Sequence, residues 1–88
     1  IHTGMNNTYL QNAELNKLSI AECGGYCGEA NLTNAVLMYA DLTDANLRYA
    51  DLTDANFNQA TVTNANFAMT TWSNTIWTDG VAYDTNQA

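Results

Sequence analysis

Residues able to do chemistry are sparse. Cys23 and Cys27 frame the stretch Cys-Gly-Gly-Tyr-Cys. Two thiols fall short of the four ligands that zinc takes. A structural disulfide, if the compartment is oxidising, and two free thiols are the open alternatives. The single histidine is His2. No Cys–His pair and no nucleophile elbow accompanies it. Asp41, Asp44, Asp51 and Asp54 flank Thr43 and Thr53 in a repeated Ala-Asp-Leu-Thr-Asp. Carboxylates and hydroxyls suit hard cations, but a solvated, negative outer surface explains them more simply. Asn6-Asn7-Thr8 and Asn31-Leu32-Thr33 fit the glycosylation acceptor pattern, as chance allows in a chain so rich in Asn and Thr. No catalytic, cofactor or metal site is assigned, and the expectation is a protein that is not an enzyme and needs no cofactor.

These residues sit on a periodic scaffold. From Ala30 to Asp79 the chain reads in fives without a slip. Alanine opens eight consecutive units, from Ala30 to Ala65. A large apolar residue holds each centre: Leu32, Leu37, Leu42, Leu47, Leu52, Phe57, Val62, Phe67, Trp72 and Trp77. An α-helix needs a period near 3.6 and a plain strand a period of 2, so neither explains the pattern. A fixed self-similar period indicates a solenoid in which each unit covers its neighbour.

The repeated Ala-Asp/Asn-Leu-x-x resembles the units of the pentapeptide-repeat family, over nearly the whole chain. The resemblance implies an all-β fold, a right-handed parallel quadrilateral β-helix. It also implies four units per coil, with the opening and central residues of each unit pointing inward. At that rate the chain makes about four coils, and residues 1–88 form one domain. The composition fits such a tube. A methyl and one Leu or Phe per unit fill a narrow interior, and Asn, Asp, Thr and Gln suit solvent and turns.

The period continues toward the N-terminus with weaker residues: Met5, Leu10, Leu15 and Ile20 fall at centres. It breaks once, at residues 23–29. One reading is a two-residue bulge helped by the local glycines; the other is a loop leaving a corner. With the bulge, the inward columns run Met5, Tyr26, Leu47, Phe67; Leu10, Leu32, Leu52, Trp72; Leu15, Leu37, Phe57, Trp77; and Ile20, Leu42, Val62, Ala82. Trp72 and Trp77 suggest that the tube opens or ends there. Thr78-Asp79-Gly80 reads as a turn and residues 84–88 as a polar tail.

The net charge is −7, with nine acids against Lys17 and Arg48. Direct binding to a nucleic-acid backbone is thereby disfavoured. No apolar run is long enough to span a membrane. The first residue, Ile1, is consistent with a removed leader or a fragment, and an exported protein is the expectation.

Two sets of contact residues follow. Nothing resembles a capping helix, so bare strand edges are expected at both ends of the tube. Copies would then stack head to tail into a filament through Met5, Leu10 and Leu15 at one end and Trp72 and Trp77 at the other. The second set is an exposed patch of Val36, Met38 and Tyr39, with Tyr49 and Met69 in the next column. The expected function is a structural, protein-interaction solenoid. The alternative, implied by the acidity and by some members of the family, is a DNA-mimicking decoy that binds DNA gyrase.

Overall fold

The computed structural model describes residues 31–88. Met5, Leu10 and Leu15, the Cys23–Cys27 pair and the phase break at 23–29 lie outside the described residues.

Six parallel bridges set the architecture. Asn31 pairs with Asp51, Val36 with Asn56, Asp41 with Thr61, Asn46 with Asn66, Asp51 with Thr71 and Asn56 with Ile76. Every partner lies twenty residues on, so four units of five complete one turn of the ladder. The bridges are carried by single residues, because each side of the tube is straight for only part of its unit. Backbone bonds run between successive turns on every side, for example from Leu32 N–H to Asp51 C=O at 2.9 Å and from Leu47 N–H to Asn66 C=O at 2.8 Å.

Four faces result. The first is centred on Leu32, Leu52 and Trp72, the second on Leu37, Phe57 and Trp77, the third on Leu42 and Val62, and the fourth on Leu47 and Phe67. Nine of these ten side chains are buried Leu, Phe or Trp with the alanines between them; Leu42, Leu52 and Phe57 are wholly inaccessible. Val62 is only half-buried. Burying a Leu or Phe contributes about 1.5–3 kcal/mol, and the column repeats that contribution at each unit.

A β-turn makes each corner. Ala35 N–H donates to Leu32 C=O, Ala40 to Leu37, and so on to Ala65 on Val62. The fifth residue of each unit turns the chain with a positive φ, from 50° at Asn74 to 65° at Tyr49, the sign that type II turns require at their third position. The second residue supports the turn. Asn31, Asp41, Asp51, Asn56 and Asn66 each accept the backbone N–H two residues on, at 2.9–3.0 Å. These are Asx turns, and they explain the Asp/Asn of the repeat as backbone chemistry.

The end of the tube departs from expectation. Strand β1, Thr75–Ile76, continues the second face; strand β2, Ala82–Tyr83, lies antiparallel to it. Gly80, at φ +81°, closes the turn, with its N–H on Trp77 C=O at 2.9 Å. A side chain there would meet Asn58 Oδ1 at 3.2 Å as well as the unfavourable φ. The chain therefore reverses along the second face instead of rounding the corner to the third. Ala82 is exposed, not the foot of the Leu42, Val62 column, and Val62 is left without a covering rung.

Candidate functional site

The C-terminal residues build a lid. Trp77 N–H donates to Val81 C=O at 3.0 Å. Asn74 N–H donates to Asp84 Oδ1 at 2.7 Å, and Asn86 Nδ2 reaches across to Phe67 C=O at 2.9 Å. The expected polar tail thus crosses the end from the second face to the fourth. Asp79 fastens it, accepting Val81 N–H through Oδ1 (3.0 Å) and the Tyr83 hydroxyl through Oδ2 (2.6 Å). The Tyr83 bond, then the Val81 bond, hold the Asp79 carboxyl below the ordinary carboxylate range. The same bond to Asp79, followed by burial, raises the Tyr83 phenol.

Beneath the lid lies an aromatic plug. Trp77 meets Trp72, Phe67 and Phe57 at centroid distances of 5.0, 5.2 and 5.7 Å, and Phe57 meets Phe67 edge-on at 5.8 Å. Two threonines occupy the slots that alanine fills elsewhere. Thr70 Oγ1 accepts Trp72 Nε1–H at 2.8 Å while donating to Phe67 C=O, and Thr75 Oγ1 donates to Leu52 C=O at 2.8 Å. The polar atoms of the plug are paired, as a dry site demands. Trp72 and Trp77 are only 7% and 8% exposed. The expected bare end with two tryptophans open to a second copy is therefore corrected: both are covered.

The second contact set is divided. Val36 and Met38 are half-buried and Tyr39 is 56% exposed, on the second face and its corner. Ile76 lies two rungs below Val36, with Asn56 between. Tyr49 and Met69 lie two faces further on, on the opposite side of the tube. Met69 is 70% exposed, and Tyr49 has the Arg48 guanidinium 5.5 Å from its ring centroid. The five residues form two patches on opposite sides, separated by the first and third faces.

Those intervening faces carry the acids. Asp51 and Asp54 stand on the first, Asp41 and Asp44 on the third. The described columns never stack two of them: Asn31, Asp51 and Thr71 succeed one another, as do Asn34, Asp54 and Asn74, Asp41 and Thr61, and Asp44 and Asn64. Like charges in adjacent rungs would repel. Asp41 accepts from Thr43 Oγ1 at 2.6 Å and Thr43 N–H at 3.0 Å, and in that order the two bonds lower its pKa. Asp54 accepts Asn74 Nδ2 at 3.0 Å. Among the described residues no group of three or more His, Cys, Asp or Glu is arranged to hold a metal ion. No helix among them is long and apolar enough to cross a membrane. Missed by the sequence reading was the lid, although Asp79-Gly80 was a usable signal for it.

Comparison with known proteins gives a consistent family. The profile described as pentapeptide repeats matches in eight copies, over residues 26–54 and 40–71. Among solved structures, the chain is similar to the pentapeptide repeat protein Rfr23 from the cyanobacterium Cyanothece 51142: 32% identity, TM-score 0.45, covering 85% of this chain and 44% of that one. It is also similar to HetL, a pentapeptide repeat protein involved in heterocyst differentiation regulation from the cyanobacterium Nostoc sp. strain PCC 7120: 18% identity, TM-score 0.34, covering 91% and 53%. The chain spans about half the length of these two. No curated protein matches. With repeat units recognised over more than half its length, the chain belongs to the pentapeptide-repeat family, and its four-sided ladder is the right-handed parallel β-helix of that family of generally non-enzymatic solenoids.

Proposed function

We propose that this protein is a structural solenoid of about four coils that works by protein contact, with further copies of itself among its partners. The observation carrying this reading is the division of the described surface. Two opposite faces are acidic, and the second face, between them, has no charged residue until Asp79. Val36, Met38 and Tyr39 stand on that uncharged strip, which a partner can cover without burying an unpaired charge. Head-to-tail stacking through Trp72 and Trp77 has less support, because the lid must first leave. The gyrase-decoy reading is also weaker, since the four repeat acids are split between opposite faces, one rung deep on each.

Sedimentation velocity and negative-stain microscopy at low and raised salt test the proposal. Association that strengthens as salt screens the −7 charge, and that Tyr39→Asp abolishes, is the expected result. A monomer at high concentration in raised salt, or association indifferent to Tyr39→Asp, would overturn it. The proposal includes export to an oxidising compartment with Cys23 and Cys27 bridged. Two alkylatable thiols in freshly isolated protein would remove that part.

A further inference from the structure

The lid covers only part of the tube's end. On the first and second faces one of the two last amides is occupied, Asn74 by Asp84 and Trp77 by Val81. On the third and fourth faces, one rung earlier, Leu42 and Asp44 donate to Thr61 and Thr63, and Leu47 and Tyr49 to Asn66 and Ala68. The corresponding amides of the last rung belong to Val62, Asn64, Phe67 and Met69. None has a hydrogen-bond partner among the described residues. The carbonyls of Ala40 and Ala45 accept Thr61 and Asn66 N–H; those of Ala60 and Ala65, one rung on, accept nothing among the described residues. Residues 60–69 are thus a strand edge without a ladder partner, bent round one corner and touched by the lid where Asn86 reaches Phe67 C=O. A cavity of about 410 Å³ lies beside it, between residues 64–68 and the lid residues Asn86 and Ala88.

The charge pattern says what fits there. No charged residue occurs between Asp54 and Asp79, so the edge itself is neutral. One rung back, Asp41 stands above Thr61 and Asp44 above Asn64 on the third face, while on the fourth Arg48 stands above Ala68 with its guanidinium against the Tyr49 ring, so the acidic flank is that of residues 60–64. We propose that residues 60–69 dock an extended, basic peptide segment of a partner protein, which adds a rung to the ladder. Its backbone meets the four amides and two carbonyls. Its apolar side chains cover the half-exposed Val62 and Ala65. Its lysines or arginines extend past the neutral rung to Asp41 and Asp44. A second copy is the poorer occupant, because the chain offers only Lys17 and Arg48 as cations. This site is independent of the second-face proposal and stands if that face contacts nothing.

Proton–nitrogen correlation NMR on the full chain tests it, with the ten-residue synthetic peptide acetyl-Lys-Thr-Val-Thr-Asn-Gly-Thr-Val-Thr-Lys-amide, long enough to follow both faces round the corner, as probe. Saturable shifts at the Val62, Asn64, Phe67 and Met69 amides, with slowed hydrogen exchange there, are expected. The same peptide N-methylated at alternate amides, and its Glu-flanked counterpart, should give neither. Joint Asp41→Asn and Asp44→Asn substitution should weaken binding several-fold and leave the same four amides shifting. Shifts that survive N-methylation, or that fall only on the acidic faces, would reduce the effect to charge attraction and overturn the proposal. So would silence at those four amides in millimolar peptide, or their shifting when the protein alone is concentrated, which would name a second copy as the occupant.

Discussion

Leu52 has no accessible surface and neighbours on the rungs above and below. Leu52→Ala should cost about 2–5 kcal/mol, as large-to-small core changes do. Leu42→Asp should prevent folding, since a dry tube offers the carboxylate no partner. Thr43→Ala should do little, because Asp41 keeps the backbone N–H of residue 43. Thermal melts of the three separate these outcomes. At the lid, Asp79 and Tyr83 respond to pH in opposite directions. The folded pKa of Asp79 is depressed, so its contribution is present above the ordinary carboxylate value and is lost as pH falls through the folded one. That of Tyr83 is raised, so its contribution is present below the ordinary phenol value and is lost as pH rises through the folded one. The clasp therefore holds over the neutral range and loosens at both extremes. Tyr83→Phe should remove the alkaline limb and shift Asp79 upward, which carboxyl-detected NMR titration reads.

The corners are the elements that differ from unit to unit. Asn34, Asp44, Asp54, Asn64 and Asn74 end the units of the first and third faces; Tyr39, Tyr49, Gln59 and Met69 end those of the second and fourth. All have positive φ. Asn and Asp tolerate it, whereas other L-residues bear a cost of roughly 1–2 kcal/mol. Met69→Asn should accordingly stabilise the protein by about 1 kcal/mol in denaturant titration, while Asn64→Met should destabilise it. The period and, among the described residues, the inward positions of Leu32 to Phe67 were legible because one side-chain pattern dictates them. The corner dihedrals were not, since a fifth position holding Tyr or Met gives no sign of left-handed backbone. Ala82 was misplaced for a related reason. Alanine suits the inward slot, but Asp79-Gly80 reverses the chain before that slot is reached. Trp72 and Trp77 did announce the end of the tube. What covers them was illegible, because Tyr83, Asp84 and Asn86 act through single hydrogen bonds rather than through a repeated pattern.

At the scale of the molecule, the lid sets how much of the tube's end is adhesive. Apart from Tyr83, its residues bury little: Val81 is 51% exposed and Ala82 is exposed. Removing residues 79–88 should bare the β1 edge and the aromatic plug. Sedimentation should then show association at concentrations where the full chain has none, while circular dichroism keeps its β signature. A truncated chain that stays folded and monomeric would mean that the edge is not adhesive.

The ladder's constant twenty-residue spacing has a mechanical consequence. Apart from the lid's hold on the last rungs, no described rung is pinned by a strand from elsewhere in the chain; each grips only its neighbours. Tension applied to the C-terminus meets the lid first and then one coil at a time, a zipper geometry rather than a shear geometry. Each coil released adds a contour length of about 65–70 Å. A force–extension trace should therefore show low, evenly spaced events after the lid gives way, and the molecule should yield as a spring that unwinds by turns.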